Sequence, residues 1–281
     1  MNRIEKVTRI IDIIESNLTQ KLDLEQIADK VHYSKYHMHR VFSQTVGLTI
    51  HDYVRRRQLT EAAKLLVFSS QPIIDIALAS GYESQQAFTD IFSAMYKIPP
   101  SRYRENEKFY PLQLRFEFQG TYAMLEKKES ARMDIRLATE ADVPCVMELV
   151  RLIVDGFPYL DETEYVRELK QKIAGGQALV MKDGETAVGI LLFSREDGSI
   201  DFMGSHPLYR KKGIPRALLD RLMGEWMKDR KISITTFREG DRADNGQREE
   251  IKSLGFAEAE LLVEYGYPTQ RFTLDGEGGQ G

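Results

Sequence analysis

Ile4, Val7, Ile10, Ile11, Ile14 and Leu18 recur at helical spacing and predict one amphipathic helix near the start of the chain. Asp23 with Gln26 three positions on resembles a capping box and predicts a short second helix running through Val31. Ser34 predicts the cap of a third helix that turns Met38, Val41 and Phe42 inward, with Gly47 as its stop. Thr49 to about Phe68 reads as a long fourth helix burying Tyr53, Val54, Leu59, Ala62, Ala63 and Leu66. Pro72 suits the first turn of a fifth helix, Gly81 a turn, and Ser84 the cap of a sixth that carries Phe88, Ile91, Phe92 and Met95. Pro99-Pro100 closes that helix and opens a last short one. Leu112 to Gln119 then alternates apolar and polar residues, which predicts a half-buried strand. Beyond it, strand-like runs (MDIRLA, ALVMK, VGILLF, IDFMG, ISITTF, LLVEYGY) alternate with helical ones (142–155, 162–174, 215–229 and 247–254). The expected architecture is an all-α front followed by an α/β or α+β domain around one mixed sheet.

The front half repeats itself. LDLEQIADKVHYSKYHMHRVFSQTVG from Leu22 and PIIDIALASGYESQQAFTDIFSAMYKIPPSRYR from Pro72 each hold a short helix with an Ile-Ala pair, a tight turn, a capping Ser and an amphipathic helix centred on Phe. That is a helix-turn-helix written twice, a shape suited to the major groove of double-stranded DNA. On the third helix Lys35, Tyr36, His39, Arg40 and Ser43 share the face that the core does not use. Arg40 suits guanine, Tyr36 a thymine methyl, and His39 a base edge or phosphate. On the sixth helix the corresponding face holds Gln85, Gln86, Thr89 and Asp90, with Gln suited to adenine. Both faces would equally pass as solvated surface were they not duplicated at the same offset from a turn. The DNA account requires the two ridges to project from one side, one duplex turn apart.

Composition qualifies this picture. The 281 residues are 42% hydrophobic and 29% charged, with net charge -4. Residues 1–108 hold 15 Lys/Arg against 13 Asp/Glu, and the remainder 24 against 30, so cationic groups in front must be clustered to attract phosphate. No apolar run approaches the ~18 residues of a membrane span, and the first residues do not read as a secretion signal. A lone Cys145 cannot form an internal disulfide, which fits a reducing cytoplasm. No His/Cys spacing reads as a metal site. The expected division is 1–108 double helix-turn-helix, 109–131 linker with a strand, 132–275 rear domain, and 276–281 (GEGGQG) disordered tail.

In the rear, IDFMGSHPLYRKKGIPRALLDRLM runs a strand into a basic turn and then an amphipathic helix. Amides at that helix start, with Arg210, Lys211, Lys212 and Arg216 around them, would hold a pyrophosphate, although a solvated basic turn accounts equally for the same letters.

Residues 4–104 resemble the AraC/XylS family of transcriptional regulators, on the strength of GYESQQAF followed by IPPSRYR, RRRQLTEAAKLL and SKYHMHRVFSQTVG. The resemblance implies two recognition helices in successive major-groove segments, with base contacts at Tyr36, His39, Arg40, Gln85 and Gln86. Asp90 departs from the pattern, standing where such relatives often carry a basic residue. It either weakens the second helix or reads a cytosine amino group. Residues from about Met133 to Leu274 resemble the GNAT N-acetyltransferase superfamily through DIRLATEADVPCVMELV, HPLYRKKGIPRALL and KSLGF. The resemblance implies acetyl-CoA or another acyl-CoA, with the pantetheine arm on the main chain of Met203, Gly204 and Ser205. The pyrophosphate would sit at Arg210, Lys211, Lys212, Gly213, Ile214 and Arg216. Pro215 departs by lacking an N–H, and Ile251 by replacing a tyrosine acid, which leaves Asp201 as the candidate base. Asp155, Tyr159, Asp161, Glu162 and Glu164 would border an acceptor pocket suited to a cationic amine, or form a solvated loop. Three readings follow from the resemblance: a regulator whose rear domain binds acyl-CoA or a small amine as effector, a working N-acetyltransferase carrying a DNA-binding domain, or a rear docking module. Homodimerisation through Leu112–Gln119 is a further expectation.

Overall fold

A computed structural model describes residues 2–19, 23–118, 133–153, 162–210, 212–264 and 266–276. They form two compact units, one of residues 2–118 and one of the described residues from 133 onward.

The front unit is all helical: α1 (Arg3–Glu15), α2 (Leu24–Lys30), α3 (Lys35–Val46), α4 (Ile50–Phe68), α5 (Ile73–Ala79), α6 (Gln85–Tyr96) and α7 (Pro100–Glu105). Each start follows from a cap. Asp23 Oδ1 accepts from the Glu25 and Gln26 amides at 2.9 and 3.2 Å, and Ser34, Thr49 and Ser84 each accept from the amide three residues on. A full reciprocal capping box forms one helix earlier, between Asn2 and Glu5. Gly47 at φ 84 ends α3 in the left-handed region where a side chain would be strained. Ile10, Ile11, Ile14, Met38, Phe42, Tyr53, Phe88 and Phe92 are fully buried and make the core.

The expected strand at Leu112–Gln119 does not form among its described residues, 112–118. Side chains of the helices take up its backbone groups instead. Thr60 Oγ1 accepts from the Leu112 and Gln113 amides at 3.0 and 3.2 Å, and Arg57 donates to the Gln113 carbonyl at 3.1 Å. Leu112 and Phe116 are buried in the same unit, while Leu114 and Phe118 are half-buried. Gln119 and the rest of the expected linker lie outside the described residues, as does the expected disordered tail from residue 277.

The rear unit is one seven-stranded mixed sheet in the order β1-β2-β3-β4-β5-β7-β6. Its strands are β1 (Asp134–Leu137), β2 (Ala178–Asp183), β3 (Thr186–Phe193), β4 (Ser199–Ser205), β5 (Ile232–Phe237), β6 (Ala257–Glu264) and β7 (Tyr267–Leu274). The helices are α8 (Val143–Ile153), α9 (Glu162–Ala174), α10 (Ile214–Glu225) and α11 (Gln247–Ser253). β3 is buried at every position, as a central strand covered on both faces must be. Neighbouring strands are antiparallel except β4 and β5.

Candidate functional site

The front unit builds its outer surface on α3 and α6. Burial of Met38, Val41, Phe42, Thr45 and Val46 fixes the inner face of α3, so Lys35, Tyr36 and Arg40 must face out. Tyr36 is 78% exposed, far beyond what its ring would adopt for packing alone. Arg40 donates to His37 Nδ1 at 3.2 Å, and the His37 ring in turn meets Tyr33 edge-on at 4.4 Å. His39 stacks on His51 of α4 at 6.0 Å. Partial burial, His51 and Lys35 all hold the His39 imidazole below its usual range, so it is neutral at pH 7. A neutral ring offers a hydrogen bond to a base edge rather than charge to a phosphate.

On α6, Phe88, Phe92, Met95 and Tyr96 are buried. Gln85, Gln86 and Asp90 are exposed, and Thr89 is half-buried. Gln86 Nε2 donates to Asp90 Oδ1 at 2.8 Å. The i, i+4 spacing that permits this bond was readable in the sequence. Lys35 and Glu25 pair at 3.5 Å between exposed side chains, a contact too solvated to fix the lysine.

In the rear unit, β4 and β5 hydrogen-bond through only Ser199↔Ser233 and Ile200↔Ile234. Beyond Ile200, β4 keeps its β3 partner as far as Ser205 but has no β5 partner. Among the described residues, Met203, Gly204 and Ser205 therefore have no strand partner on the β5 side, and main-chain amides and carbonyls there are able to bond an extended polar arm. Gly204 leaves room for α8: a Cβ there would lie 2.2 Å from Ile153 Cδ1, so the end of that side chain would have to shift.

The chain then enters a short 3-10 turn, Pro207–Tyr209, capped by the buried His206. Burial and then Arg210 push the His206 imidazole down to about 3, so it stays neutral and its Nδ1 accepts from the Leu208 amide at 3.1 Å. Tyr209 donates to Asp183 Oδ2 at 2.5 Å, and Lys212 Nζ lies 4.7 Å from the Tyr209 ring centre. These contacts anchor the turn that carries the exposed Arg210 and Lys212, with Arg210 close enough to the Glu250 carboxylate to favour its charged form. Gly213, at φ 72, swings the chain into α10, whose first turn carries Ile214, Pro215 and Arg216. Arg216 donates to the Ser253 carbonyl at 3.0 Å, which aims it at α11. Lys211 lies outside the described residues.

The donor set therefore suits a pyrophosphate incompletely: cations and a helix N-terminus are present, while Pro215 supplies no N–H. Ile251 on α11 is buried, so no hydroxyl stands at that position. Asp201 is the extra residue of a β-bulge, because Leu192 pairs with Phe202 and Phe193 with Ile200. Its carboxylate is held by Lys172 of α9 and by Ser199 Oγ at 2.7 Å. Sequence reasoning missed Lys172, which is 29 positions away, and nothing in the letters marks it. Asp155, Tyr159 and Asp161 lie outside the described residues. Glu162 is described and pairs with Arg151 at 2.8 Å, while Glu164 pairs with Arg167 at 3.0 Å. Among the described residues no cluster of three His, Cys, Asp or Glu could hold a metal ion, and no helix is long and apolar enough to cross a membrane.

A family model described as a helix-turn-helix domain matches residues 27–106, and one described as the acetyltransferase (GNAT) family matches residues 146–256. The chain is 42% identical over 104 residues to the HTH-type transcriptional activator AarP of Providencia stuartii, covering 37% of this chain and 77% of that protein. It is 39% identical over 122 residues to an uncharacterised HTH-type transcriptional regulator, YbfP of Bacillus subtilis. That match covers 43% of this chain and only 39% of YbfP, so the chain spans well under half of that relative's length. A solved GNAT-family acetyltransferase from Bacillus cereus is 15% identical, covering 52% of this chain and 99% of that one, with a TM-score of 0.42. With its doubled helix-turn-helix and its matched relatives, the chain belongs to the AraC-type DNA-binding transcriptional regulators and carries a GNAT-family domain behind the DNA-binding one.

Proposed function

We propose that the front unit reads an operator through Lys35, Tyr36, His39, Arg40, Gln85, Gln86 and Thr89, and that the rear unit takes acetyl-CoA or another acyl-CoA as the effector that tunes this reading in the cytoplasm. The observation that carries the effector assignment is the parting of β4 from β5 after two residue pairs, immediately before a basic turn and a helix N-terminus. The open edge of Met203–Ser205 would receive the amides of an extended arm. Arg210, Lys212 and Arg216, with the first amides of α10, would receive its phosphates. The chemistry such a thioester supplies is transfer of an acyl group to an amine.

The residues around this β4 edge favour sensing over transfer. A base must be free to accept the proton of an incoming amine, and the Asp201 oxygens are already engaged by Lys172 and Ser199. The acid position is an isoleucine, and one phosphate donor is a proline. An effector acts only through unequal affinity for two states of the protein, so acyl-CoA must alter operator affinity by the same factor by which operator alters acyl-CoA affinity.

Isothermal titration of the full chain with acetyl-CoA, then of the operator complex, tests the reading. Binding whose affinity changes on DNA, without thiol release across a panel of amines, supports it. Thiol release with one of those amines replaces it with the acetyltransferase reading. Absence of binding removes acetyl-CoA as effector.

A further inference from the structure

Asp90 is the one charged side chain of α6, and on a helix facing phosphates a carboxylate repels the partner it is meant to bind. The structure gives it a different occupation. Its Oδ1 accepts from Gln86 Nε2 at 2.8 Å, one helical turn away on the same exposed face. The chemistry of the pair fixes the amide without reference to hydrogen positions. An ionised carboxylate only accepts, so the NH2 end of Gln86 must turn toward Asp90 and the Oε1 end away. The reversed amide would set oxygen against carboxylate.

We propose that Asp90 is a positioning residue for base readout: by pinning the Gln86 amide, it makes that side chain select bases with an exocyclic amino group and reject those with an exocyclic carbonyl. An unpinned glutamine rotates its amide and accommodates either pattern. The pinned one presents a carbonyl oxygen together with its second N–H. Adenine answers both, with N6–H as donor and N7 as acceptor, and cytosine N4–H answers the oxygen. Guanine O6 and thymine O4 meet that oxygen with another acceptor. The carboxylate therefore lowers affinity for any DNA and raises discrimination at one base pair. The inference rests on α6 entering the major groove, as in the proposed operator reading.

The test is selection by the full chain from a pool of randomised duplexes, followed by affinities for the selected duplex with each base pair replaced in turn. Gln86→Ala locates the pair read by Gln86. At that pair the wild type is expected to favour an amino-bearing base by roughly ten- to a hundredfold. Asp90→Ala and Asp90→Asn should bind all duplexes more tightly while this ratio falls to within about threefold, because neither replacement is a fixed acceptor. A ratio unchanged in both variants, with affinity raised equally for every duplex, overturns the proposal and leaves Asp90 as a repulsive surface charge. A wild-type chain that enriches no sequence overturns the operator reading itself, a distinct result seen before any variant is made.

Discussion

Replacing Arg57 by Met should strongly destabilise the front unit. Arg57 and Glu15 are 8% and 9% exposed, and the guanidinium reaches Glu15 through two bonds of 2.8 and 2.9 Å. It also donates to Glu61 at 2.9 Å and to the Gln113 carbonyl at 3.1 Å, tying α1, α4 and the segment after α7 together. Met keeps most of the apolar stem, so the loss comes from charge pairing rather than a cavity. Removing one partner of a buried pair leaves the other uncompensated, a cost of about 3–5 kcal/mol. That is a large fraction of the roughly 5–15 kcal/mol that holds a typical domain. The paired variant Arg57→Met/Glu15→Leu removes both charges but takes the 2.7 Å acceptor from the Tyr53 hydroxyl and the 3.1 Å donor from the buried Gln113 carbonyl. Each of these two losses costs about 1–3 kcal/mol, which keeps the pair below the sum of the two single variants. Urea unfolding of the full chain, followed by helical circular dichroism, measures Arg57→Met, Glu15→Leu and the paired variant. A single-variant loss below ~1 kcal/mol, or a double-variant loss equal to the sum of the singles, would refute the coupled buried pair.

Three further outcomes are expected. Gly189→Ala should cost ~1–3 kcal/mol and weaken acetyl-CoA binding, because its Cβ would meet Ile214 at 2.5 Å and Leu218 at 3.2 Å and push the start of α10 off β3. Unchanged stability and titration would show that α10 yields freely. His206 is neutral when folded, with its imidazole pushed down to about 3 against an ordinary 6.5, so the unfolded chain binds the extra proton between those values. Its contribution is complete above pH 6.5 and is lost as pH falls through the window. His206→Asn should therefore flatten the decline of urea midpoint between pH 6.5 and pH 4, and identical slopes would count against it. Arg40→Ala should weaken operator binding by ~1–3 kcal/mol, and an unaltered footprint and affinity would remove Arg40 from the interface.

The helix starts were legible because capping is local. Ser34, Thr49 and Ser84 each bond an amide three residues away, whatever the rest of the chain does. The outward faces of α3 and α6 were legible for the same reason, since 3.6-residue periodicity places Tyr36 and Gln86 opposite the buried Phe42 and Phe88. The alternation at Leu112–Phe118 misled: burial there falls on Leu112, Gln113 and Phe116 rather than on every second residue, and its amides bond Thr60 instead of a neighbouring strand. LLVEYGY proved to span two strands, with β6 ending at Glu264 and β7 beginning at Tyr267.

By itself the sequence determined the two-part plan, the doubled helix-turn-helix and which side chains of α3 and α6 face outward, all of which depend on interactions within one or two helical turns. Tertiary structure alone decided that β4 leaves β5 after Ile200, that Lys172 occupies Asp201, and that Arg57 and Glu15 meet in the interior. Each of these joins residues tens of positions apart, and no local preference of the chain specifies which distant partner will arrive. Only the packed sheet and the packed helices bring them together.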